Sequence, residues 1–305
     1  MSDVKAVFLS PFVAHWQHLP VACERLTQWI SDYLDEQLSW CHDEQFGALF
    51  PFQQLDLPQD FFLQRVIDVD GIQYLTGPRF VNQQLDAPFV DIIAPCGPPS
   101  ERAVKAILAN WQGLNATRVR YCSATITPAL HPIDQQLYLG QASEMIAAQA
   151  DTTVFLTGAN ITDKQWCRAL LDDAYQQLFK RQPELQKRLH ALSDDELEEH
   201  LQDGEVCRIH WCQQAVGVLI VQACSYQFLH GLSVIDKAIA PAFQGQHLSA
   251  KAQLAYMQQL ASDALLFGTI DGRNEASIQS ALQAGRMPVL RYCWMDEPSN
   301  SSNIQ

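Results

Sequence analysis

The period of apolar and polar positions changes along the chain, and the changes mark its elements. Leu26, Trp29, Ile30 and Tyr33 recur at near-helical spacing and predict a helix over 21–38. Two strand-like runs, 61–69 and 72–81, flank Asp70-Gly71, a two-residue hairpin signal. A third strand is predicted over 88–95. Val104, Ile107, Leu108 and Trp111 then form a helical stripe behind Ser100 as N-cap. A strand over 118–127, a helix around 133–148 and a strand over 152–158 complete this half. In the second half, Thr162 with Gln165 and Ser193 with Glu196 fit capping boxes that open two helices. Strands over 205–212 and 215–224 flank Gln213-Gln214, and a third strand covers about 232–239. A helix over 249–261, a strand over 263–270, a helix over 274–284 and a strand over 289–295 follow. Each half thus reads helix, three strands, loop, helix, strand, helix, strand, the order expected of a duplicated fold.

Composition narrows the class. The chain has 305 residues, enough for about two domains. With 48% hydrophobic and 18% charged residues it holds sizeable cores. Lys and Arg total 20 against 34 Asp and Glu, a formal net charge of −14 that counts against nucleic acid as a partner and suits a cationic amine. The longest apolar stretches, such as Ala215 to Val221, are too short to span a bilayer, and the opening MSDVKAVFLSPF is a poor signal peptide. The nine cysteines are scattered without zinc-ligand spacing, which predicts reduced thiols in a cytoplasmic protein and no metal site. The tail 298–305 is polar and expected to be disordered.

The segment AIAPAFQGQHLSAKAQLAYM (238–257) carries the candidate chemistry. A strand ends at Pro241, a polar loop holds Gly245, and a helix opens near Ser249. Amides at a helix start lack intrahelical partners, and the helix dipole adds partial positive charge there. An anionic phosphate fits such a junction, and glycine lets the backbone approach it. An ordinary tight loop between strand and helix has the same outline.

The stretch resembles the acetyl-CoA loop of the GNAT acetyltransferase superfamily, with pattern V-x-P-x-Y-R-G-x-G and a pyrophosphate loop Q/R-x-x-G-x-G/A. Ile239, Pro241, Phe243, Gln244 and Gly245 hold matching positions. Downstream, Asn274, Ser277 and Gly285 match the family's N-x-x-A/S…G motif. The resemblance covers about 206–295; the N-terminal half shares only the order of elements. It implies an α/β (α+β) fold of two GNAT-like domains, each a mixed, mostly antiparallel sheet flanked by helices. Their expected extents are 1–158, degenerate, and 159–297, binding acyl-CoA. The N-terminal junction, Ala94 to Ser100, has Gly97 but also Pro98 and Pro99, which remove amide donors, so this half is not expected to bind CoA.

By the same resemblance, acetyl-CoA or another acyl-CoA lies in a V between splayed strands. Backbone groups of Ala238, Ile239 and Ala240 pair with the pantetheine arm. Amides of Gln244, Gly245, Gln246, His247, Leu248 and Ser249 take the pyrophosphate, and Asn274, with Ser277 in its motif, contacts the arm or orders a water. The sequence departs from the pattern at Ala242, at Gln244 where the family has Arg, and at His247 where it has a second Gly. His247 either donates to phosphate or is a plain loop residue, and Lys251 is a candidate for the missing charge. The family's general-acid Tyr is Ala281, and the aromatic after Gly285 is Arg286.

Transfer to an amine needs a neutral nucleophile, and a lysine-like amine has a pKa of about 10.4. Asp236 is the best-placed candidate base, with His230 and Glu205 behind it. Tyr292 and Cys293 are candidate proton donors, or simply a buried aromatic and a buried thiol. Three functions follow: an N-acyltransferase acting on a small or peptide amine, a Fem-like peptidyltransferase using aminoacyl-tRNA, or a non-catalytic module that keeps the fold. The acidic charge and the lack of a basic patch count against the second.

Overall fold

Phe8, Phe12 and Trp16 stand four residues apart, and all three are buried. In the computed structural model, which describes residues 2–148 and 153–298, they line the inward face of a helix, α1 (Ser2–Trp16). The sequence pattern did not predict this helix, because Pro11 sits inside it and interior proline removes a hydrogen bond. Aromatic packing outweighs that cost: the Phe12 ring meets Phe228 edge-on at 5.6 Å and Trp16 lies 5.5 Å from the same ring. The expected second helix is α2 (Cys23–Ser39), burying Leu26, Ile30, Tyr33 and Leu34; a short α3 (Glu44–Ala48) follows.

Contacts divide the chain into two units. The first holds residues 2–135, with 227–229 and 289–298. The second holds 136–226 and 230–288. This differs from the expected break at 158/159. The physical reason lies in two strands. Residues 133–148, expected to be a helix, form strand β5 (Ile133–Gln141) and then helix α5 (Ala142–Ala148). Leu137, Tyr138, Leu139 and Gly140 are buried in succession, as in a strand covered on both faces, and such a run has no period to separate strand from helix. β5 neighbours a strand of the second unit, whereas the last strand, β11 (Met287–Asp296), pairs antiparallel with β4 (Arg118–Ala124) of the first. The repeated element order therefore fails at the second helix of the first half.

The first unit has the sheet order β1-β2-β3-β4-β11. β1 (Arg65–Val69) and β2 (Ile72–Phe80) form the expected hairpin, with Asp70 and Gly71 both at positive φ. β3 (Pro88–Ala94) runs parallel to β4, and between them lies α4 (Glu101–Asn110), whose first-turn amide at Ala103 donates to Ser100 Oγ as the sequence predicts. Val104, Ile107, Leu108 and Trp111 pack on Val90, Ile92 and Val119.

The second unit has the order β5-β10-β9-β8-β7-β6. Its strands are β6 (Val154–Gly158), β7 (Val206–Trp211), β8 (Gln214–Tyr226), β9 (Leu229–Ile239) and β10 (Leu265–Asp271). The turn between β7 and β8 is Cys212-Gln213, both at positive φ, one residue before the expected pair. On one face, α6 (Lys164–Arg181) and α7 (Asp194–Gln202) bury Cys167, Leu171, Leu197 and Leu201 against Val206, Val218 and Ile220. On the other, α5 and α8 (Leu248–Met257) bury Met145, Leu248, Leu254 and Met257 against Ile209, Val216, Leu219 and Leu266. Each such leucine is worth roughly 1.5–3 kcal/mol of burial. Ser193 and Glu196 form the predicted capping box of α7. Thr162 with Gln165 does not open α6: the box here is Asn160 with Asp163, and it caps a 3-10 turn over Ile161–Asp163 that leads into the helix. α9 (Glu275–Gln283) completes the unit.

The α/β class is as expected, each unit a mixed, mostly antiparallel sheet flanked by helices. Among the described residues no helix is long and apolar enough to cross a membrane, and all nine cysteines are free. Residues 299–305 of the expected disordered tail lie outside the described residues.

Gly217 brings β8 close to β9: a Cβ there would stand 2.5 Å from the Ala238 carbonyl oxygen and 2.7 Å from Ile239 Cδ1. Gly217→Ala is expected to lower stability by about 1–3 kcal/mol, read as a fall in the urea midpoint. Gly158→Ala, whose Cβ would meet nothing within 4 Å, is expected to stay within about 0.5 kcal/mol.

Candidate cofactor-binding cleft

β9 and β10 run parallel and pair at Leu232–Leu266 and Ser233–Phe267. Beyond that point, residues 234–239 of β9 and 268–271 of β10 line a cleft of about 570 Å³ in the second unit. The alternation of β9 slips where the strands part. Leu232 and Val234 pack into the core beneath α8, yet Ala238, also even-numbered, packs into the core beneath α6, and Ile239 returns to the first. Strict alternation would keep all even positions on one face. An extra residue in a strand produces such a slip and loosens the regular ladder around it. Ala238 and Ile239 are on that wall. Ala240 is not among the lining residues, and its N–H donates to Val216 O at 2.8 Å.

The cleft runs to the loop after β9. Gly245 has φ +81, a conformation open to glycine, and a Cβ there would meet nothing within 4 Å. His247 is the N-cap of α8 at φ 57, and no side chain caps this helix end. The first amides to bond back, those of Ala250 and Lys251, both donate to His247 O. The amides before them are the donors that a helix start leaves for a ligand. α4 of the first unit differs, since Ser100 fills that role. Gln244, Gly245, His247, Leu248 and Ser249 line the cleft; Gln246 is not among the lining residues. Leu248 is buried, so its side chain anchors the helix in the core. Ser249 Oγ lies 2.9 Å from Ser280 Oγ, and Gln244 Nε2 donates to Ile239 O at 3.2 Å. His247 Nδ1 is 2.8 Å from Gln283 Oε1. These side chains hold the loop shape. Contrary to expectation, the Gln244 amide is not left for a ligand: it donates to Pro241 O at 3.3 Å as the chain turns after β9.

Asn274 lines the cleft and caps α9, its Oδ1 accepting from Ser277 N at 3.2 Å. Ser277 also lines the cleft, and Lys237 Nζ approaches its Oγ at 3.5 Å. Lys251 is not among the lining residues; Arg181, on the last turn of α6, is. Asp236 lines the cleft between two hydrogen bonds. Its Oδ1 accepts from Lys237 N at 2.7 Å, and its carboxylate accepts from the Tyr175 hydroxyl of α6. Burial raises the Asp236 pKa, and burial with the Asp236 charge raises that of Tyr175. The weaker candidate bases lie elsewhere: His200 Nδ1 meets Glu205 at 2.6 Å, and Ser225 Oγ meets His230 Nδ1 at 2.7 Å. Tyr292 and Cys293 belong to the first unit. Tyr292 accepts a hydrogen bond from Gln227 and Cys293 is buried.

Tyr175 escaped the sequence reading because only the start of its helix, at Thr162 and Gln165, carried a signal there. Two cations also line the cleft. Lys237 is half-buried on β9, and burial, with Arg286 nearby, lowers its pKa to about 8. Arg286 is 1% exposed, and burial lowers its pKa to about 10.

No protein-family model matches the chain, and no curated protein matches it. Among solved structures it is similar to a GNAT-family acetyltransferase from Colwellia psychrerythraea, at 11% identity over 80% of this chain and 95% of that one, with a TM-score of 0.47. It is similar to a GCN5-related N-acetyltransferase from Kribbella flavida, at 13% identity, 85% and 96% coverage and a TM-score of 0.42. It is also similar to a conserved protein of unknown function from Staphylococcus epidermidis, at 12% identity, 81% and 98% coverage and a TM-score of 0.42.

Lys237 is expected to titrate near 8 while surface lysines titrate near about 10.4. After reductive methylation with labelled formaldehyde, one methyl-amine resonance besides that of the α-amine should titrate near 8 and vanish in Lys237→Met. A Lys237 signal that titrates with the surface lysines would contradict the burial described.

Proposed function

We propose that this chain is an N-acyltransferase that takes an acyl group, acetyl or another, from acyl-CoA and gives it to an amine. The observation that carries the reading is the cleft itself. Two parallel strands part, one with slipped alternation, and the opening ends at a glycine loop over an uncapped helix start. The fit is one of backbone. Amides of Gly245, His247, Leu248 and Ser249 would hold a pyrophosphate, and the wall at Ala238 and Ile239 would take the amide-bearing arm. Arg181 at the rim supplies positive charge that the loop lacks. Bound acyl-CoA supplies an activated thioester carbonyl.

Asp236 serves as the base for the acceptor ammonium. A carboxylate whose pKa burial has raised is a better proton acceptor near neutral pH than an exposed one. Tyr175, hydrogen-bonded to it, takes the place of the family tyrosine that is Ala281 here: as the C–N bond forms and the C–S bond breaks, its hydroxyl would protonate the departing CoA thiolate and regain a proton from Asp236. The −14 charge of the chain favours approach of cationic amines, small or peptidic. A cytoplasmic setting, where the nine thiols stay reduced, goes with this reading.

Calorimetric titration with acetyl-CoA tests the binding step. Heat of binding is expected for the native chain and none for Gly245→Glu, which strains φ and sets a carboxylate against the phosphates; equal affinity would show that the loop is not the phosphate site. Asp236→Asn is expected to lower kcat by about 10²–10⁴-fold with little change in acyl-CoA affinity. The native rate should fall as pH falls through the raised Asp236 pKa, because protonation removes the base, and the variant should lose that limb. A profile unchanged in the variant would remove Asp236 from this role.

A further inference from the structure

Arg286 stands where the pattern of the resembled family has an aromatic; Tyr138 lies near it, but among the described residues no carboxylate pairs with it. It is 1% exposed, and its Nε and Nη1 have no hydrogen-bond partner. A buried guanidinium left in this way is costly unless an anion meets it. Its neighbourhood makes room for it. A Cβ on Gly268 would stand 3.1 Å from Arg286 Nη1, and a Cβ on Gly140 3.2 Å from its Cγ. Gly268 directly follows Phe267, the last residue of β10 paired with β9, so the guanidinium lies at the closed end of the cleft. Lys237 lines the same cleft and senses the Arg286 charge. Two cations thus face one cavity with hydrogen-bond donors to spare.

We propose that Arg286 and Lys237 form a carboxylate-binding subsite at the closed end of the cleft, selecting a substrate that carries a carboxylate near its reacting group. The proposal rests on the acyl-CoA reading for its orientation. With the phosphates at Gly245–Ser249, the far end of the ligand lies along β9 toward Lys237 and Gly268. A carboxylate there comes from one of two sources: the tail of a dicarboxylic acyl group on the donor, or the acceptor amine. The planar guanidinium suits either, since it pairs with a carboxylate through parallel hydrogen bonds.

The test measures binding of succinyl-CoA, acetyl-CoA and free CoA to the native chain, Lys237→Met and Arg286→Gln. A donor carboxylate predicts that succinyl-CoA binds at least about tenfold tighter than acetyl-CoA, and that the ratio falls toward one in the variants. An acceptor carboxylate predicts no such ratio. Instead, with acetyl-CoA bound, an α-amino acid should bind more tightly than its decarboxylated amine, and the variants should lose that preference. Arg286→Gln removes a buried side chain and is read only if it keeps the native circular-dichroism spectrum; Lys237→Met, on a half-buried position, keeps the test decisive. CoA binding without either preference, or with a preference that survives Lys237→Met, overturns the subsite and leaves the acyl-CoA reading intact. If no CoA species binds, the acyl-CoA reading fails, and succinate alone decides the subsite. An upward shift of the Lys237 titration with succinate supports it, and an unmoved titration overturns it.

Discussion

The separation of β9 from β10 after the Ser233–Phe267 pair is the constraint on which the rest of the second unit depends. Neighbouring parallel strands ordinarily satisfy each other's backbone groups. Once these part, the donors and acceptors on the inner edges need water, side chains or a ligand. The slip in alternation between Ile235 and Ala238 releases β9 from strict pairing without exposing the cores on either side. Gly217 allows β8 to follow closely, and Gly268 keeps β10 from filling the apex. The helix after the loop then turns its uncapped start toward the open end. Each feature is small, but together they make a cavity whose walls are mostly main chain.

A cavity walled by main chain makes few demands on the side chains of its loop. The geometry at Gly245 survives because Gln244 and His247 are tied down by Ile239 O and Gln283. The positive charge in the cleft comes from Arg181 on α6 and from Lys237 and Arg286. The polar chemistry follows the same rule: Asp236 and Tyr175 meet across β9 and α6, elements far apart in sequence.

What the sequence disclosed was local. The Asp70-Gly71 turn, the Ser100 cap, the Ser193–Glu196 box and the strand–glycine–helix junction at Gly245 each depend on a few adjacent residues. What it concealed was set by tertiary packing. α1 forms around Pro11 because three aromatic rings find a core. β5 is a strand because both its faces are covered, which erases the alternation that would have announced it. Tyr175, Lys237 and Arg286 could not be gathered into one cavity from spacing, because their elements meet only in the fold. The one available hint was Arg286 itself, a charge at a position where the motif has an aromatic ring.

The central claim, that the parted strands and the Gly245 loop hold acyl-CoA, is tested most directly by backbone amide chemical shifts on titration with acetyl-CoA. Saturable shifts at Gly245 to Ser249 and along Lys237 to Ile239, with β6 and β7 unmoved, are the result this account predicts. Shifts confined to other elements, or none at millimolar ligand, would contradict it.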